Sequence, residues 1–189
     1  MQSDQASQKE RAKAVIVASI RAAGGKFKNR TNLFKVFYLS HLIHMARHGR
    51  SLTSWKIQKL QRGPVPRKGD SLLDALEQDG VIVQPTVPRG PYFARDANIV
   101  DDSKALQVEQ ELTPIEVESV VDAVDYLQRK NATEVSEWSH DFSRAWRKAE
   151  IGEALDIYVD LIMDEAEYDG IRERLGKASS TVESVFGRA

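Results

Sequence analysis

The chain has 189 residues, 41% of them hydrophobic and 29% charged, with 11 Gly, 6 Pro and no Cys. That length holds one domain, or one domain with a helical appendage, and the composition excludes a disordered chain, a collagen-like repeat, disulfides, thiol catalysis and cysteine-ligated zinc. The formal net charge of −1 conceals 15 Lys and Arg against 3 Asp and Glu in residues 1–70, a net of +12, and 12 against 25 in the remainder, a net of −13.

Val15, Ile16, Ala18, Ile20 and Ala22 recur at helical spacing and predict a first helix from about Ala6 to Ala23, stopped by Gly24-Gly25. Asn29 or Thr31 can cap a second helix that reaches Arg47, with Gly49 at its end. Leu33, Phe34, Val36, Phe37, Leu39, Leu42 and Ile43 make this helix apolar nearly all round, which places it at the centre of the fold. Ser54 to Gln61 reads as a short strand with Trp55 and Ile57 on one face. Gly63-Pro64-Val65-Pro66 reads as a rigid connection, since each proline fixes its own φ and drives its predecessor to extended geometry.

A third helix spans about Lys68 to Gln78, and Val81 to Val83 and Tyr92 to Ala94 read as two strands joined through Pro88-Arg89-Gly90-Pro91. Asp96 to Glu111 is expected as loop. Thr113, Pro114 and Glu116 form a capping box opening a fourth helix to about Lys130, with Val117, Val120, Val121, Val124 and Leu127 facing inward. Thr133 starts a short helix through Trp138. A last long helix is expected from about Ile151 to Leu175, with an apolar stripe of Ile151, Leu155, Tyr158, Val159 and Ile162 and an acidic stripe of Glu153, Asp156, Asp160, Asp164 and Glu167. The acidic stripe reads as a solvated face, as a surface meeting the basic half of the chain, or as one meeting a partner's basic groove that normally holds nucleic acid. The fold class is α+β, a predominantly helical single domain with a small antiparallel sheet or hairpin beside a central buried helix. It divides into an N-terminal helix and turn (1–28), a main domain (29–175) and a flexible tail (176–189).

The charge asymmetry fits a nucleic acid or a charged protein partner, and equally two halves that neutralise each other on folding. No apolar run approaches the ~20 residues that cross a bilayer; the longest, Val36 to Ala46, is interrupted by Ser40, His41 and His44. The polar start, Met1 to Arg11, has no apolar export core, so a cytoplasmic protein without membrane partners is expected. The order helix, helix, strand, helix, hairpin is that of a winged helix-turn-helix, but the helix in the reading position carries Asp70, Asp74, Glu77 and Asp79 against Lys68. Those acids would be repelled by phosphates, which argues against nucleic acid.

His41, His44 and His48 fall within a roughly 60° arc of the second helix and could together bind zinc, copper or nickel. The competing reading is a polar seam at a helix end, because the spacing lacks the two histidines and glutamate base of HExxH. Phosphate-loop, GxGxxG and GxSxG signatures are absent, so no active site, metal or cofactor is expected. The Gly24-Gly25-Lys26 turn with Lys28 and Arg30 could hold an anion near a helix start.

Leu33, Lys35, Tyr38, His44, Gly49 and Arg50, followed by Gly63-Pro64-Val65-Pro66 and by an acidic helix and strand over Leu72 to Val83, resemble the Panacea, or SocA-like antitoxin, domain. The Leu112-Thr113 helix start, the Ser139-His140 pair and Trp146 fit the same pattern, so the resemblance runs from about Asn29 to Ile162. The chain departs from it at His41, where aspartate is usual, at His48, where tyrosine is usual, and at Ser51, where proline is common. The resemblance implies an antitoxin that neutralises a cognate toxin protein by direct binding, without enzymatic activity; the assembly stays open between a monomer, a homodimer and a heterotetramer with the toxin. Trp55, Gly63, Pro64, Val65, Pro66, Arg67, Tyr92 and Phe93 are the candidate contacts, since aromatic and arginine anchors dominate interfaces. Core packing of the sheet is the competing reading for Trp55 and Phe93. The alternative functions are a winged-helix DNA-binding regulator and an adaptor that delivers a partner to a protease.

Overall fold

The computed structural model describes residues 2–128, 130 and 132–161. Three helices, α1 (Gln2–Ala22), α2 (Arg30–His48) and α5 (Pro114–Gln128), pack on one another to form the core. Every residue from Ala12 to Ile20 in α1 and from Leu33 to Leu42 in α2 is buried, as expected of helices without a polar face. Asn29 caps α2, its side chain accepting from the Thr31 N–H at 3.0 Å, and Gly49 closes it in the left-handed conformation (φ 69°) that a residue with a Cβ adopts reluctantly. The capping box of α5 forms, with the Thr113 N–H donating to Glu116 at 2.8 Å.

The strands make three small antiparallel sheets. In the first, β1 (Lys26–Phe27) and β4 (Ile82–Val83) flank β7 (Ala97–Ile99). In the second, β2 (Ile57–Leu60) pairs with β3 (Gly63–Pro66), and in the third β5 (Thr86–Arg89) pairs with β6 (Tyr92–Arg95). Helix α3 (Gly69–Gln78) connects the second sheet to the first. The structure confirms the α+β, predominantly helical class, and no helix among the described residues is long and apolar enough to cross a membrane.

Four expectations are corrected. Val81 to Val83 does not pair with Tyr92 to Ala94: Ile82 lies opposite Ile99, while Tyr92 folds back onto Arg89 across a two-residue Gly90-Pro91 loop. Gly90, at φ 63°, supplies the positive φ that such tight hairpin loops require. The expected loop at Asp96 to Glu111 holds β7 and a helix, α4 (Asp102–Glu109), capped by Asp101, whose carboxylate accepts from the Ser103 and Lys104 N–H groups at 3.0 Å. The short helix from Thr133 extends as α6 (Ala132–Phe142) and is followed by α7 (Arg144–Lys148), capped by Ser143. Residues 151–156 are not helical. They run along the outer edge of β2, with Gly152 N–H donating to Lys59 O at 2.8 Å, Lys59 N–H to Glu153 O at 2.9 Å and Leu155 N–H to Ile57 O at 2.8 Å. A 3-10 helix (Ile157–Leu161) follows; the rest of the expected last helix and the tail lie outside the described residues.

The two charged halves meet inside the molecule. Arg11 pairs with Glu116 (2.8 Å), Lys13 with Asp79 (2.9 Å), Arg21 with Glu109 (3.2 Å) and Arg47 with Asp122 (2.5 Å). Glu116 is buried, and although burial alone would raise its carboxyl, the Thr113 and Arg11 donors outweigh it and hold the group below its ordinary range.

Candidate functional site

The Gly63-Pro64-Val65-Pro66 segment is a buried strand, and its backbone explains the prolines. Arg67 N–H donates to Lys56 O at 2.8 Å, so by alternation Pro64 and Pro66 direct their nitrogens away from β2, where no ladder donor is needed. The Pro64 carbonyl points the same way and would be left without a strand partner. Lys35 on α2, fully buried, supplies that bond from Nζ at 3.1 Å. Burial pushes its amine down to about 7. Gly63, at φ 103°, passes so close to Lys35 Nζ and Ser139 Oγ that no Cβ fits.

Around this contact the remaining motif residues converge. Tyr38 donates its hydroxyl to Asp160 Oδ2 at 2.6 Å, Ser143 Oγ donates to the same oxygen at 2.9 Å, and Ala145 N–H donates to Oδ1 at 2.8 Å. Burial and then the Asp160 carboxylate push the Tyr38 phenol far up. Asp160 is therefore a buried acceptor, not part of a solvated acidic stripe. Trp146 donates its indole N–H to Leu60 O at 2.9 Å and stacks on His140 at 4.1 Å, while Lys59 Nζ lies 4.4 Å over its ring. Burial, followed by the Lys35 charge, holds His140 below its ordinary range. Lys35, Tyr38, Gly63, Ser139, His140 and Trp146 thus fasten α2, the β2–β3 hairpin, α6, α7 and the 3-10 helix to one another. Leu33 is buried in the core and Gly49 serves as the cap of α2.

The three histidines do not converge on a ligand. His41 Nδ1–H donates to Phe37 O at 2.7 Å and its Nε2 accepts from Thr53 Oγ1 at 2.9 Å; burial drives its pKa down to about 4. His44 Nδ1 lies 3.0 Å from Ser119 Oγ, whose own proton goes to Ile115 O. His48 is exposed and packs on the His44 ring. Among the described residues no group of three metal-ligating side chains forms.

The surface candidates separate into two sets. Trp55, half-buried, donates its indole N–H to Arg67 O at 2.8 Å, leaving the Arg67 side chain exposed. Tyr92 and Phe93, 57% and 75% exposed, stand on the β5–β6 hairpin. Arg89 on the same hairpin is held by Asp96 at 2.9 Å. The four acids in and just after α3 are exposed; Asp70 pairs with Arg30 and Asp79 with Lys13. Sequence reasoning missed an aromatic ladder in which Tyr126 meets Trp138 edge-on at 5.7 Å and Trp138 stacks on Phe142 at 5.2 Å. Its signal was the four-residue step from Trp138 to Phe142, which places both on one helix face.

The family model described as "Antitoxin SocA-like, Panacea domain" matches residues 33–147, well over half of the chain and narrower at both ends than the resemblance read from the motifs. No curated protein and no solved structure matches. The matched span carries the buried Lys35–Pro64 contact, the proline strand and the Trp146 clasp. The chain belongs to the SocA-like antitoxin, or Panacea domain, family, whose role lies in toxin–antitoxin systems.

Proposed function

We propose that the protein neutralises a cognate toxin protein in the cytoplasm by direct, non-enzymatic binding, with Tyr92 and Phe93 on the β5–β6 hairpin as the anchors. The observation that supports this reading is the exposure of two adjacent aromatic side chains, Phe93 at 75% and Tyr92 at 57%, on a hairpin outside the core. Large apolar groups left in water on a projecting element favour a partner, and aromatic side chains carry a disproportionate share of interface energy. Gly63, Pro64, Val65 and Pro66 are buried and take part as the frame that holds the fold, while Arg67 offers a guanidinium to the partner's rim.

The test is co-expression in a heterologous bacterium with the protein encoded beside this chain, followed by pull-down. A Tyr92→Ser/Phe93→Ser double variant should melt at the wild-type temperature, fail to restore growth and lose the toxin by more than tenfold in affinity. Full protection and unchanged affinity in that variant would overturn the placement. Protection without any complex would overturn direct binding.

A further inference from the structure

A cleft of about 390 Å³ opens between the end of α1, β1, the first turn of α2 and the end of α5. Its walls carry three ammonium groups, Lys26 from β1, Lys28 from the turn before α2 and Lys130 from beyond α5, and among the described residues no carboxylate lines it. Several cations of the basic half are paired: Arg11, Lys13, Arg21 and Arg47 each meet an acid of the other half, and Arg30, two residues past Lys28, turns to Asp70 at 2.8 Å. Lys26 and Lys28 make no ion pair among the described residues. Lys130 Nζ lies 5.2 Å over the Tyr126 ring, a contact that uses none of its hydrogen-bond donors.

Two further features give the cleft a chemical preference. Asn32 in the first turn of α2 and Gln128 at the end of α5 add amide groups, and the first turn of α2 contains no acid. The carbonyl end of α5 opposes an anion with about half a charge, which three full positive charges outweigh. Phe27 and Leu127, otherwise buried, each turn a small apolar edge into the same hollow. A volume of about 390 Å³ falls within the roughly 300–1,000 Å³ of small-molecule sites.

We infer that this cleft binds a small polyanion bearing an aromatic ring, a nucleoside polyphosphate by chemical class. Its phosphates would lie against Lys26, Lys28 and Lys130 and its ring against Phe27 and Leu127. Like charges gathered round one hollow repel until a counter-anion enters, which gives the site its driving force. The apolar surface is what separates this ligand from a bare phosphate chain.

Isothermal titration calorimetry with ATP, inorganic tripolyphosphate and adenosine, at 0.15 M salt without magnesium, tests the assignment on the full chain. ATP should bind, tripolyphosphate at least threefold more weakly, and adenosine not at all at the same concentrations. Lys28→Glu and Lys130→Glu should each weaken ATP by at least tenfold, while Lys56→Glu, an exposed lysine elsewhere, should leave it unchanged; all three should melt at the wild-type temperature. Absence of ATP binding at millimolar concentration would overturn the site. Equal weakening by Lys28→Glu and Lys56→Glu would show diffuse charge and overturn it too. Tripolyphosphate binding as tightly as ATP would overturn the nucleoside part of the assignment.

Discussion

Lys35 and Gly63 are two halves of one contact, and neither is intelligible without the other. A fully buried amine with no carboxylate partner among the described residues is tolerated because the Pro64 carbonyl needs a donor, and Gly63 is required because the amine occupies the space of a Cβ. Gly63→Ala therefore combines an unfavourable positive φ with displacement of the Lys35 amine from the Pro64 carbonyl, and should cost about 3 kcal/mol or more in urea denaturation. His41 provides a second measurable quantity. Its folded pKa of about 4 lies below the ordinary 6.5, so the unfolded chain takes up the proton first as pH falls. Stability should decline by up to about 3 kcal/mol across that interval, and His41→Gln, which cannot titrate, should lose the slope in chemical denaturation between those pH values. At this scale the sequence identified Lys35, Tyr38, Gly63 and Trp146 as a set, but not that they touch. Asp160, their common neighbour through Tyr38, was read as solvated because its spacing alone matches an acidic stripe.

Among the elements, the helices with internal signals were legible. Asn29 and Gly49 delimit α2, and Thr113, Pro114 and Glu116 start α5, because caps act within a few residues of the chain. Strand pairing was not, since a strand's partner is chosen by distant backbone. The edge of β2 draws residues 152–155 into an extended run, although their side chains also fit a helical period. Gly152, at φ 88°, makes the entry to that run. Gly152→Val places a β-branched residue where φ is positive and should release the run. The expected sign is at least tenfold faster hydrogen exchange at the Lys59 amide, which donates to Glu153 O, with exchange in α1 and α5 unchanged.

At the scale of the molecule, the fold class and the central place of α2 followed from patterning, whereas the fate of the charge asymmetry did not. Composition left a partner and internal neutralisation equally open, and the ion pairs across the two halves show the second for Arg11, Lys13, Arg21 and Arg47. The Arg11–Glu116 pair is the one with a buried carboxylate. Arg11→Gln leaves that carboxylate with the Thr113 N–H and, as its remaining cation, the more distant Arg50 at 3.8 Å, and should cost about 2–3 kcal/mol in thermal or urea unfolding. The loss should shrink as pH falls below the ordinary glutamate value of 4.5 and the unfolded chain protonates, because the group's pKa is held low by the fold.

The same ion pairs set a timetable for synthesis. Arg11 and Glu116 are separated by 105 residues, and the helix that covers α1 and α2 is α5. During translation residues 1–70 therefore emerge as a chain of net charge +12 whose counter-charges and covering helix are not yet made. The acids that pair with Arg11, Lys13, Arg21 and Arg47 lie at Glu116, Asp79, Glu109 and Asp122, so these four cations have no such partner until that later part of the chain is made. Contacts of such sequence separation also make folding slow relative to a helical bundle of local pairs, so the order of the charges along the chain delays the point at which they can pair.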